Sequence, residues 1–156
     1  MASWQQVAES APRFAERVQA LFDAHRHKTL GTLRKDGSPR ISGIEATLAD
    51  GELWLGSMNG SRKTMDLRRD PRLALHSAAE DPPEDPSAWG GDAKLSGRAI
   101  EVKDPRRLES LGGDGSGDLF RVEIEEVVLT RVGDPPDHLV IELWREGEGV
   151  RQMKRR

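Results

Sequence analysis

The chain has 156 residues, 35% of them hydrophobic and 33% charged, with no Cys, no Tyr and a formal net charge of -3. A domain of this length buries roughly 70% of the surface of its unfolded chain, and the lack of cysteine excludes a disulfide framework, a thiolate metal site and a cysteine nucleophile. No apolar run approaches the roughly 20 residues of a membrane span, MASWQQVAES lacks the basic and apolar regions of a signal peptide, and intermixed charge signs argue against nucleic-acid binding, so the expectation is a cytoplasmic domain with no membrane or nucleic-acid partner.

The first predicted element is a helix from Ser10 to Ala24, with Ser10 as N-cap and Pro12 in the first turn. Phe14, Val18, Leu21, Phe22 and His25 form one stripe at helical spacing. The period then changes. Lys28 to Leu33 reads as a strand, Lys35-Asp36-Gly37 as a turn, and Arg40 to Leu48 as a strand with Ile44, Ala46 and Leu48 on one face. Asp50-Gly51 is a two-residue hairpin signal, returning along Glu52 to Ser57. A short helix follows from Ser61 to Arg69, stopped by Asp70-Pro71.

Arg72 to His76 is the next strand, and the acidic, proline-rich segment 79–91 is a loop that cannot pair inside a sheet. Ala93, Leu95 and Ala99 alternate with Lys94, Ser96 and Arg98 in a strand with one wet face. Asp104-Pro105 opens a helix to Leu111, and GGDGSG (112–117) reads as a flexible linker. Phe120, Val122 and Ile124 begin a strand running towards Val132. Asp134-Pro135-Pro136 turns the chain, and Leu139, Ile141 and Leu143 carry the last strand before a polar tail. The reading is one domain over 1–156, with an N-terminal helical segment (10–27), a β body (28–145) and a polar tail (146–156). Six or seven hairpin-connected strands with few helices make a mainly β fold, an antiparallel sheet closed into a small barrel. An open sheet packed on helices is the structural alternative.

The segment Ser57 to Lys63, SMNGSRK, lies between a strand end and a helix start. Unpaired N–H groups and partial positive charge at a helix N-terminus favour phosphate. Ser57 and Ser61 add hydroxyls, Arg62 a bidentate fork and Lys63 a mobile charge. The simpler reading of the same residues is a capped helix with two solvated basic side chains. His76, at a strand end, has the chemistry for proton transfer near neutral pH; Lys94 on its wet face can approach an anion. His25, His27 and His138 lack supporting neighbours and read as structural, and no three ligands cluster in sequence as a metal site.

The order of segments resembles the pyridoxamine 5'-phosphate oxidase-like superfamily of flavin-binding split β-barrels, from about Phe14 to Arg155. Its most specific piece is Gly60-Ser61-Arg62-Lys63 followed by Asp70-Pro71-Arg72. The resemblance implies a six- to seven-stranded antiparallel split β-barrel, a homodimer, and FMN bound at the dimer interface by an oxidoreductase that exchanges hydride with a small molecule. It places Ser42, Gly43 and Ile44 against the flavin ring. Ser57, Ser61, Arg62 and Lys63 fall on its phosphate, and Trp144 approaches the cofactor from the other subunit. Arg151 and Arg155 resemble the two arginines of an Arg-x-His-x-Arg tail, which implies a substrate contact for the first and a cofactor contact for the second. Met153 stands where that tail has histidine, and methionine cannot donate a hydrogen bond to a polar substrate, which argues against vitamin B6 oxidation.

The deazaflavin coenzyme F-420 is the alternative cofactor implied by the same resemblance, with Arg13, Arg17, Arg34, Arg40 and Arg68 as basic surface for its acidic tail. Two further alternatives are a non-catalytic flavin carrier or sensor and a haem-binding protein, with His25, His27 and His76 as axial candidates.

Overall fold

The computed structural model describes residues 1–156. Two helices lead the chain, α1 (Trp4–Ser10) and α2 (Pro12–Asp23), followed by strands β1 (His27–Leu33), β2 (Pro39–Ala49) and β3 (Glu52–Ser57). Helix α3 (Arg62–Arg69) then precedes β4 (Arg72–His76) and β5 (Asp92–Glu101). Helix α4 (Pro105–Ser110) precedes β6 (Asp118–Val132), β7 (Leu139–Arg145) and β8 (Gly149–Arg155). All neighbouring strands are antiparallel, in the order β3-β2-β1-β4-β5-β6-β7-β8. A further pairing of β3 with β6 closes six of them into a barrel.

The 15-residue strand β6 makes both the closure and the extension. Its first residues, Asp118 to Arg121, pair with Ser57 to Trp54 of β3, whereas Glu126 to Val132 pair with β7. Strand β5 follows β6 throughout, with a register shift after Ser96. At the shift a Cβ on Gly97 would sit 2.1 Å from the Glu123 carbonyl oxygen, so only glycine allows this approach. The β2–β3 hairpin turns through Asp50 and Gly51, both at positive φ (52° and 75°), the type I′ geometry that Asp-Gly favours.

The alternation seen in the sequence becomes burial. Leu30, Leu53, Leu55, Leu75, Val122 and Ile124 point inward and meet Phe14, Val18 and Phe22 of α2. Three expectations need correction. The N-terminal helix is two helices: a capping box between Ser3 and Gln6 starts α1, and Pro12 begins α2 behind Ala11. Ser10 is therefore no N-cap; it ends α1, and its hydroxyl accepts a hydrogen bond from Trp144 Nε1 at 3.0 Å. His25 leaves the buried stripe and pairs with Glu80 at 2.5 Å. The polar tail is strand β8, paired along β7 from Trp144↔Val150 to Leu139↔Arg155, so β7 and β8 extend the sheet beyond the expected barrel, which closes with six strands. Its side chains are nearly all exposed, so alternation could not mark it.

Two buried carboxylates tie elements together. Asp66 of α3 accepts from Thr32 Oγ1 at 2.8 Å and Arg40 Nε at 2.7 Å on one oxygen, and from Arg69 Nη1 at 3.4 Å on the other. Burial pushes its pKa up, but the bonds from Arg40 and Thr32, with Arg69, outweigh burial and hold it below the usual carboxylate value. Glu142 of β7 is buried among Arg17 of α2, Arg131 of β6 and Gln152 of β8. There too the partners overcome burial and lower the pKa.

A carboxyl whose folded pKa lies below its unfolded value of about 3.9 stabilises the fold above that value, and the contribution is lost as pH falls through the folded pKa. Asp66→Asn is therefore expected to lower the unfolding free energy at pH 7 by about 3–5 kcal/mol, the scale for breaking a buried pair. It should also flatten the loss of stability below about pH 4. Urea unfolding across pH checks both; an unchanged midpoint at pH 7 contradicts the role given to Asp66.

Candidate functional site

Directly opposed residues share a face, so the pairs Thr47↔Trp54 and Glu45↔Gly56 put Gly43, Glu45 and Thr47 on the same side as Trp54 and Gly56. This outer face of the β2–β3 hairpin floors an open cleft of about 540 Å³, within the roughly 300–1,000 Å³ of small-molecule sites. A Cβ added to Gly43 or Gly56 would meet no atom within 4 Å, so the floor between the larger side chains is bare backbone facing open space. Leu108 and Leu111, with Gly113, Ser116 and Gly117 of the following loop, form the opposite wall.

That wall is pinned to the hairpin by Arg107. Its guanidinium lies 5.0 Å from the Trp54 ring centroid and 2.5 Å from an Asp50 carboxylate oxygen. Trp54 itself donates to the Ala49 carbonyl at 3.0 Å, which fixes the ring beneath the arginine.

One end of the cleft is the β3–α3 junction. Ser61 is the N-cap of α3: its hydroxyl accepts from Thr64 N–H at 3.3 Å, lies 2.7 Å from Ser57 Oγ and is 3.0 Å from Thr64 Oγ1. Ser57 and Lys63 line the cleft. The basic residues of α3 divide in two. Arg68 and Arg69 are committed to carboxylates, whereas Arg62 and Lys63 take part in no ion pair. Lys63 is half-buried in the first helical turn, where backbone N–H groups have no partner within the helix. The arrangement is a flat floor ending in hydroxyls, free N–H groups and an uncompensated ammonium, chemistry that suits a planar ring carrying an anionic group.

The candidate residues fall into several places. Gly43, Ile44, Ser57 and Lys63 come together in the cleft. Ser61 stands behind Ser57, Arg62 is exposed beside them, and Ser42 is half-buried on β2 outside the lining. Trp144 is 1% exposed and bonded to Ser10, enclosed in the core of its own chain. Arg151 and Arg155 lie exposed on β8, the strand at the opposite end of the sheet order from β3.

His76 and Lys94 are register partners on β4 and β5. They line a different concavity of about 390 Å³, which shares no residue with the cleft. His76 Nδ1 is 2.5 Å from the Ser77 carbonyl oxygen, so that nitrogen donates, and Nε2 is 3.6 Å from Asp92. Among the arginines proposed as tail-binding surface, Arg17, Arg40 and Arg68 are spent on Glu142, Asp66, Glu101 and Asp118.

Sequence reasoning missed Gly56, Trp54, Leu108 and Leu111, and it set His27 aside as structural. His27 lines the cleft and is the register partner of Glu45, its Nε2 3.9 Å from that carboxylate. Strand alternation could have placed Gly56 opposite Glu45, because the hairpin turn was legible. No local signal brings α4 over that face. His138 is buried with Nδ1 2.7 Å from Asp137. No group of three or more His, Asp or Glu side chains converges as a metal site, and no helix is long and apolar enough to cross a membrane.

A family model described as pyridoxamine 5'-phosphate oxidase matches residues 14–131. Among solved structures, a putative pyridoxamine 5'-phosphate oxidase from Listeria innocua superposes with a TM-score of 0.59 at 19% identity, covering 73% of this chain and 95% of that one. A Clostridium acetobutylicum protein related to general stress protein 26 gives a TM-score of 0.59 at 15% identity over 91% and 94% of the two chains. A structure described as an F420 reductase gives 0.54 at 15% identity over 70% and 94%. At these identities the likeness is one of fold. A comparison with curated proteins finds no match.

Arg107→Ala removes one cation–π contact and one exposed ion pair, so global stability should fall by no more than about 1 kcal/mol. Amide exchange of residues 105–111 should accelerate well beyond that of the barrel strands. Exchange unchanged in α4 contradicts the pinning role.

Proposed function

The chain belongs to the pyridoxamine 5'-phosphate oxidase family, and from that premise we propose that it is an oxidoreductase whose β2–β3 cleft holds FMN and exchanges hydride with a small molecule. The observation that carries the reading is a bare-backbone floor at Gly43 and Gly56 leading to Ser57 and the unpaired Lys63. A flavin supplies the hydride chemistry when bound; the protein supplies orientation, electrostatics and water exclusion. In this reading the floor takes the ring, and Ser57, Ser61, Arg62 and Lys63 take the phosphate. Leu108 and Leu111 shield one side from water. His27 stands at the rim of the cleft, its Nε2 3.9 Å from the Glu45 carboxylate.

The reading includes a homodimer. Ile41, on the same outward face as Gly43, is 78% exposed, and Met58 at the phosphate end is 80% exposed. A second copy covering these side chains would close the cleft and bury apolar surface. Met153, exposed on β8, stands where a substrate-contacting histidine is expected, which supports a substrate other than a pyridoxal compound. The deazaflavin F-420 is the second reading, favoured by the likeness to the structure described as an F420 reductase.

Fluorescence titration with FMN tests the proposal. Lys63→Ala should weaken binding by about 1.5–3 kcal/mol, the scale of one charge-assisted hydrogen bond. Gly56→Leu should abolish it while leaving the circular dichroism spectrum intact, because the new side chain enters open space. FMN binding that survives both substitutions unchanged contradicts the site.

A further inference from the structure

The two flanks of the cleft are built differently. Strand β3 lies between β6 and β2, and β1 lies beyond β2. The segment that carries Leu108, Leu111 and Gly113 leads into β6, so the wall it forms stands on the β6 side. On the β1 side the lining is His27 and Glu45, a register pair whose side chains leave the same face of the sheet. The other register partner of Glu45 is Gly56, which has no side chain. The carboxylate therefore borders the bare floor directly, and a molecule reaching the floor from the unwalled side passes it.

Glu45 is the one carboxylate among the residues that line the cleft; the other ionisable groups there are His27 and Lys63. Its side chain is 59% exposed, and its single ion-pair neighbour is His27 Nε2 at 3.9 Å. The nearby cations are directed elsewhere. Lys28, next along β1, turns its ammonium to the opposite face, where it is buried and donates to the carbonyls of Arg26 at 3.2 Å and Ala46 at 2.9 Å. Arg26 and Arg62 are exposed outside the lining, and Lys63 belongs to the first turn of α3. Asp50, by contrast, is held by Arg107, Asp66 by Arg40 and Glu142 by Arg17. When bound molecules cover the cleft, the water around Glu45 is displaced, and a carboxylate taken out of water needs a cation or donors in its place.

We propose that Glu45 is a specificity-determining residue that selects an organic cation, a small molecule carrying a protonated amine or amidinium, as the reaction partner of the bound cofactor. The inference rests on the reading of the cleft as the site of a phosphate-bearing ring cofactor. A phosphate monoester carries about -1.5 to -2 charges at pH 7, which Lys63 and Arg62 together answer. Glu45 then remains the unanswered charge, on the flank by which the second molecule enters. An N–H cation gains a charge-assisted hydrogen bond there, whereas an anion meets a like charge in a closing, low-dielectric site.

The test uses benzamidine, a planar cation, and benzamide, a neutral molecule of the same shape. Both are titrated at pH 8, where a histidine cation does not compete for the carboxylate, into labelled protein saturated with FMN. Dissociation constants are read from the amide shifts of Gly43 and Gly56 for wild type, Glu45→Gln, Glu45→Asp and Glu16→Gln. The last variant removes an exposed carboxylate of α2 outside the lining. Wild type is expected to bind benzamidine about three- to tenfold more tightly than benzamide, the effect of one charge pair near solvent. Glu45→Gln should bring the ratio below about twofold, Glu45→Asp should retain a preference for the cation, and Glu16→Gln should match wild type. A ratio near one in wild type, a preference that survives Glu45→Gln, or shifts centred on Ala74 and Ser96 instead overturns the inference. The cofactor reading is judged separately, by FMN titration of wild type and Lys63→Ala. If FMN does not bind, or binds equally well to Lys63→Ala, that reading fails and the inference falls with it.

Discussion

The Asp66 carboxylate is the constraint on which the site depends. It is the point where α3, β1 and β2 meet, through Arg69 of its own helix, Thr32 and Arg40. A buried charge is tolerated only when fully hydrogen-bonded, so the helix has one orientation in which Asp66 is satisfied. That orientation aims the first turn, with Lys63, back over the end of β3. Thr64 and Leu67, both buried, pack the same face of α3 against the barrel end. The basic pair Arg62 and Lys63 is left outside this network, which is why its charge remains available at the cleft.

The barrel itself contributes a second constraint. Closure between β3 and the first part of β6 puts Ser57 beside Asp118, and the strap between β5 and β6 then has to pass over the outer face of the β2–β3 hairpin. The cleft is thus a by-product of closure: its floor is the hairpin, its far wall is the strap, and its end is the helix that Asp66 fixes. The same geometry keeps His76 and Lys94 away. They form the last register pair of β4 and β5, on a concavity with its own lining and no shared residue.

Much of the architecture was legible because alternation and turn chemistry act locally. Asp50-Gly51 and the alternation through Ile44 and Ala46 marked β2 and β3, and Asp70-Pro71 marked the end of α3. Strand β8 was not legible, since none of its side chains is buried and only its backbone bonds define it. Helix α1 carried a readable Ser3-x-x-Gln6 capping box, but its short length hid it beside the longer amphipathic stripe of α2. At the site, Ser57, Ser61 and Lys63 were visible because a helix start concentrates donors. Leu108 and Leu111 were not, because they lie on and just after α4, in the segment between β5 and β6 whose path over the hairpin no local pattern marks. Trp144 shows the converse. The family resemblance gave it a contact with the cofactor of the other subunit, yet its indole is satisfied by Ser10 within its own core.

The central claim is that the outer face of the β2–β3 hairpin, ending at Lys63, is where the cofactor binds. Amide chemical-shift mapping of the isotopically labelled protein during addition of FMN tests this most directly. The account predicts that the largest shifts fall on Gly43, Ile44, Gly56, Ser57, Gly60 and Lys63, with weaker effects in the 111–117 strap. Shifts centred on Ala74, His76, Lys94 and Ser96 would place the ligand in the other concavity and contradict it.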